Sequence, residues 1–180
     1  MRTARSRHLF LACEGRRAVP DEPAADDVSA DLAPDAPLDA VGVAQAERLA
    51  AAVLALGVAR VVSGAGRGEW QTAHVAALAA AVPHVVDSRL AGTRPLAVLE
   101  DAVLATTTGA PLVVTRGDVV RGLVAAIEPG RCVEAGAGSW CWLTLRSGRW
   151  AVVVTDQRPA VPSVPPVPPG HVAGAARSVR

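Results

Sequence analysis

Short continuous apolar runs alternate along this chain with stretches in which apolar residues recur every three or four positions. Such alternation predicts buried strands exchanging with amphipathic helices. Residues 8–13 (HLFLAC), closed off by Arg7 and Glu14, suit a strand buried on both faces of a parallel sheet. Residues 39–56 carry Val43, Ala46, Leu49, Val53 and Leu56 at helical spacing, with Gly57 placed to cap the end. Strand character returns over 58–63, followed by a glycine-rich turn (GAGRG), a helix over about 69–81 and a short apolar segment at 84–87. Residues 98–105 read as helix, 111–115 (PLVVT) as another buried strand, and 119–127 as a helix ended by Pro129 and Gly130. Residues 139–145 and 149–155 flank Ser147-Gly148, the signal of an antiparallel hairpin. The class this predicts is α/β.

Two stretches break the pattern. From residue 16 to 37 the chain turns polar, with six acidic residues among several prolines, and is expected to be a long surface loop of the kind that forms lids. From Arg158 it reads RPAVPSVPPVPPGHVAGAARSVR. Those prolines forbid both helix interior and sheet ladder, so residues 159–180 are expected to be a disordered tail behind a domain at 1–158. Its PxxP spacings also fit an aromatic groove on a partner.

Composition narrows the functional classes. With 180 residues, 51% hydrophobic and 19% charged, the chain can bury one sizeable core. Its formal net charge of +1 supplies no field for nucleic acid or membrane surfaces, so neither is an expected partner. All 18 basic residues are Arg, and Lys, Asn and Tyr are absent, which points to the GC-rich genome of a bacterium and weakens any single Arg as a clue. Cys13, Cys132 and Cys141 show no C-x-x-C spacing, and the start lacks a signal-peptide apolar stretch. A cytoplasmic protein follows as the expectation.

The segment from Pro37 to Ala46 (PLDAVGVAQA) resembles the "P-L-T-x-x-G-x-x-Q-A" signature that opens the first long helix of histidine phosphatases. It is followed, at family-like distances, by VARVVSGAGRGEWQTA, similar to "V-Y-S-S-P-L-x-R-A-x-Q-T-A". Next comes PLVVTRGDVVRGLVAAI, similar to "V-L-V-V-S-H-G-G-V-I-R-x-L-L". HLFLACEGR aligns with "L-x-L-V-R-H-G-E", and the resemblance covers about residues 7 to 158. The implied fold is a phosphoglycerate mutase-like three-layer sandwich: a mostly parallel central sheet with an antiparallel edge hairpin and helices on both faces.

The resemblance also implies a site at the carboxyl ends of the parallel strands. In the family a histidine there attacks phosphorus, two arginines and a second histidine hold the anionic oxygens, and a carboxylic acid protonates the leaving group. Carried over by position, the nucleophile becomes Glu14 and the arginine before it Cys13. The second arginine falls on Gly68, with Arg67 beside it, and the second histidine on Arg116, while the acid becomes Ala91 or Gly92. Glu14 cannot form a phosphoramidate. A carboxylate about 4 Å from a phosphate charge costs roughly 4 kcal/mol at an effective dielectric of 20.

A pseudoenzyme that binds a partner protein or a small ligand is therefore expected. The alternative is a repurposed enzyme with Glu14 as general acid or base on a non-phosphorylated substrate, in small-molecule biosynthesis. An open cleft of roughly 300 Å³ around Glu14 would favour the enzyme, and a sealed pocket the binder. Candidate ligand-binding residues are Cys13, Glu14, Gly15, Arg67, Arg116, Gly117 and Arg121, with Glu14 and Arg116 the catalytic candidates.

The facing positions imply a Glu14–Arg116 salt bridge that closes the pocket. The competing arrangement leaves Glu14 in solvent and Arg116 on Asp118. Gly15 and Gly117 are better read as backbone necessities than as phosphate cradles. His8, His74 and His84 are not expected to cluster, and neither a metal nor a cofactor is expected. Trp140 and Trp142 share one face of their strand, as core or as the interface of a homodimer or partner complex.

Overall fold

The computed structural model describes residues 7–19, 36–92 and 94–158. The expected lid, apart from its two ends, and the Pro-rich tail lie outside the described residues.

Six strands form one sheet: β1 (Arg7–Cys13), β2 (Val58–Ser63), β3 (His84–Val86), β4 (Ala110–Thr115), β5 (Trp140–Arg146) and β6 (Arg149–Gln157), in the order β3-β2-β4-β1-β5-β6. The first four run parallel, and β5 joins β1 antiparallel before turning into β6. The helices are α1 (Ala40–Leu56), α2 (Arg67–Ala80), α3 (Pro95–Leu104) and α4 (Gly117–Ile127). A 3-10 turn at Ser88–Ala91 went unforeseen, and α3 starts three residues before the expected 98 because Pro95 opens it at a position where a missing N–H costs nothing.

Alternation along β1 sorts the core into two halves. Leu9, Leu11 and Cys13 face Val98, Leu99, Val103, Val120, Leu123 and Val124 of α3 and α4. Phe10 and Ala12 face Leu49, Val53, Ala73, Ala76 and Ala77 of α1 and α2. The apolar run HLFLAC is continuous because both faces of β1 are covered, which is the three-layer α/β sandwich with an antiparallel edge hairpin.

Asp39 caps α1 by accepting from the Gly42 amide at 2.7 Å, and Gly57 ends the helix in a left-handed conformation with φ +64°. Gly42 has a different reason to be glycine. A Cβ there would overlap the carbonyl oxygen of Arg16, and one on Gly15 would overlap that of Gly42, so the chain leaving β1 crosses the first turn of α1 in backbone contact. Gly122, in the interior of α4, has nothing within 4 Å of such a Cβ.

Two substitutions separate these cases. Gly122→Ala should raise stability by about 0.5–1 kcal/mol through helix propensity, and Gly42→Ala should lower it by about 1–3 kcal/mol through overpacking. Denaturant titration of both variants checks the opposite signs.

Candidate functional site

Four of the six strands end at one edge of the sheet, where β1 delivers Glu14 and Gly15, β4 delivers Arg116 and β2 leads into α2. Backbone bonds fix the exit of β1 from both sides: the Glu14 amide donates to Thr115 O at 2.9 Å and its carbonyl accepts from the Gly138 amide at 2.9 Å. The Gly15 amide donates to Thr72 Oγ1 at 3.0 Å, and that hydroxyl donates to Gly68 O at 2.8 Å. The first turn of α2 is thereby tied to the end of β1.

Glu14 is buried, with 7% of its surface exposed. Its Oε1 lies 3.2 Å from Nε of Arg17, three residues on in the same turn. Its Oε2 lies against Gly68, so close that a Cβ on that glycine would stand 2.5 Å away, and the Arg17 stem closes the same space at 3.1 Å. The carboxylate thus occupies the position from which any side chain at 68 would start, at the amino end of α2, where the helix dipole favours an anion.

The expected Glu14–Arg116 bridge is not formed. Arg116 makes a two-pronged contact with Asp118, at 3.1 and 2.7 Å. Each cation has found an acid two or three residues away, where little chain entropy is lost, and the bare Cα of Gly68 draws Glu14 toward α2 instead of across the gap. The competing arrangement is right for Arg116 and wrong for Glu14, which is not in solvent.

A second buried acid completes the cluster. Glu69, 3% exposed, accepts from Thr115 Oγ1 at 2.8 Å and from the Gly66 amide at 3.0 Å. Burial is the main cause that lifts Glu14 from an ordinary carboxyl to about 7. Arg17 opposes the shift, Glu69 adds to it, Arg116 opposes it and Asp118 adds to it.

The other candidates scatter around this cluster. Cys13 is buried, accepts from Ser139 Oγ at 3.7 Å and has its thiol pushed to about 12, chiefly by burial, which opposes the thiolate a nucleophile needs. Gly15 and Gly117 are demanded by close approach rather than by turns, since a Cβ on Gly117 would lie 2.7 Å from Ala135 O. Arg67 is exposed at the start of α2 and does not enter the cluster. Arg121 reaches Glu134 O at 3.4 Å.

A cavity of about 290 Å³ beside the site is bounded by Leu90, Gly92, Pro95, Arg116, Asp118 and Leu123; Glu14 does not line it. Arg17, Glu69, Thr72 and Thr115 were not singled out in the sequence. For Glu69 a signal existed, an acid three residues into a helix behind a glycine-rich turn. For Arg17 there was none.

The histidines correct a further expectation: His74 and His84 do come together, ring centres 6.3 Å apart, with Trp70 stacked on His74 at 4.6 Å. Two histidines do not make a metal site, and among the described residues no group of three or more ligating side chains forms one. Nor is any described helix long and apolar enough to cross a membrane.

No protein-family model matches the chain, and no curated protein matches it in sequence. Solved structures do share its fold. "Mycobacterial hydrolase 1" superposes with a TM-score of 0.66 at 19% identity over 86% of this chain and 100% of that one. The protein histidine phosphatase SixA complexed with tungstate gives 0.66 at 19% identity over 84% and 97%. A mycobacterial glucosyl-3-phosphoglycerate phosphatase complexed with VO3 gives 0.65 at 17% over 83% and 99%. The fold is therefore the one these solved structures share.

The weakened acidity of Glu14 makes stability depend on pH. A carboxyl with a folded-state value of about 7 against 4.5 unfolded stabilises the fold while protonated, and that contribution drains away as pH rises from about 4.5 to about 7. Above that window the ion is carried at a cost on the order of 3 kcal/mol. Glu14→Gln, which keeps the shape without the charge, should exceed the native chain in stability at pH 8 and converge on it near pH 4.5. Urea midpoints at the two pH values test this, and a less stable variant at pH 8 would refute the assigned shift.

Proposed function

We propose that this chain is a histidine phosphatase superfamily member that has given up phosphoryl transfer and acts by binding a partner protein or a small ligand. One observation carries the reading: the residue at the family's nucleophile position is a buried carboxyl, paired with Arg17 and seated in the space that a side chain at 68 would need. The replacements at 14 and 68 are thus two halves of one change. A histidine restored at 14 alone would still lack the arginine at 68, and an arginine restored at 68 alone would collide with Glu14.

Charge supports the same reading. An incoming phosphate would meet Glu14, Glu69 and Asp118, against Arg17 and Arg116, each of which already holds an acid. The acid position of the family falls on Ala91 and Gly92, neither of which carries a proton to donate. A carboxylate can in principle take a phosphoryl group as a mixed anhydride, but here it would have to attack a dianion while Arg17 and Arg116, the cations beside it, each already hold an acid.

The second reading, Glu14 as general acid or base on a non-phosphorylated substrate, is favoured by its acidity near 7, the range a proton-transfer catalyst needs. Against it, the neighbouring cavity is bounded by Arg116 and Asp118 and not by Glu14.

With a chromogenic phosphate monoester and a radiolabelled phosphoryl donor, the expected result is no turnover above the protein-free blank and no labelled protein. Tungstate at pH 8 should leave the melting temperature unchanged, since a ligand stabilises only what it binds. A hydroxylamine-labile adduct on Glu14, or turnover lost in Glu14→Ala, would overturn the reading.

A further inference from the structure

On the α1 side of the sheet, beyond β1, the hairpin presents an uncharged aromatic strip. Trp140 and Trp142 sit two residues apart on β5 and are half buried, each packed against Phe10, with ring centres at 5.6 and 6.2 Å. Val154 and Ala151 continue the strip on β6, opposite Trp142 and Thr144. Trp142 donates to Nδ1 of His8 at 3.3 Å, which fixes its ring as a wall. Below it opens a cavity of about 390 Å³ between that wall, Phe10 and the last turn of α1 at Ala55 and Leu56. Part of each indole therefore faces outward, beside a concave apolar surface.

We infer that residues 159–169 of this same chain dock along that strip as an extended polyproline segment. Three observations single out this occupant. β6 is the last strand of the sheet, and its final residue, Gln157, pairs with Trp140, so the chain leaves the described fold at the upper end of the strip.

The continuing sequence, PAVPSVPPVPP, has six prolines among its eleven residues and no charge, matching an uncharged aromatic groove. Length is the third. In a polyproline helix eleven residues span about 34 Å, while the strand from Trp140 to Thr144 is only about 13 Å long. The segment reaches the cavity with chain to spare.

Proline rings stack on indole faces with little conformational entropy left to lose, and tethering at Gln157 turns docking into an intramolecular event at high effective concentration. The strip is then covered by the protein's own tail. This inference does not rest on the reading of Glu14, and the two fail separately.

A nitroxide placed at Ser163→Cys, in a Cys132→Ser background that removes the exposed thiol, tests it in the full-length chain by NMR. The indole N–H signals of Trp140 and Trp142 should lose at least half their intensity relative to the reduced label, while Trp70, on α2 beside the opposite sheet edge, keeps its own. Replacing Pro162, Pro165, Pro166 and Pro168 with Ser should restore the two signals. Equal intensities at all four indoles would overturn the inference. So would broadening that appears only when label and isotope are on different molecules, because the occupant would then be a second copy.

Discussion

Backbone contact at the end of β1 is the constraint from which the site follows. Glu14 is hydrogen-bonded to β4 through its amide and to the approach of β5 through its carbonyl, while Gly15 is held by Thr72 and pressed against Gly42. No part of that turn can move without breaking contacts to α1, α2, β4 and the loop before β5. The side chain at 14 is therefore delivered to the same place whatever its chemistry, and a carboxylate delivered there had to find a cation and room. Arg17 supplied the first and Gly68 the second.

The same economy explains the pairing of charges. Four of the described ion pairs join residues two or three apart: Glu14 with Arg17, Arg89 with Asp87, Arg116 with Asp118, and Arg131 with Glu128. Local pairs need little ordering beyond what the turn already enforces, whereas a bridge across the site must hold two long side chains in register. Arg17 and Arg116 are thus each held by an acid of their own turn and not by one across the site. The strands are positioned by apolar packing and the charges by their nearest neighbours, so the scaffold and the pairing of its charges are set independently.

Hydrophobic patterning made most of the fold legible. The uninterrupted runs at β1 and β4 could only be strands buried on both faces, and the three- and four-residue spacing in α1 could only be a helix, because burial imposes those periods locally. The segment at 88–91 was not legible, because a single 3-10 turn imposes no period.

By itself, then, the sequence determined the strand–helix order, the antiparallel hairpin and which charged residues, Glu14 and Arg116, follow β1 and β4. Only the tertiary structure decided which partners the replacements would take. Arg17 lies in a turn with no recognisable pattern, and Glu69 and Thr115 are 46 residues apart. Whether Gly68 leaves a hole or filled space depends on where another strand ends. Periodicity records what a residue's own element demands of it; the neutralisation of a buried charge is settled by whichever elements the fold brings alongside.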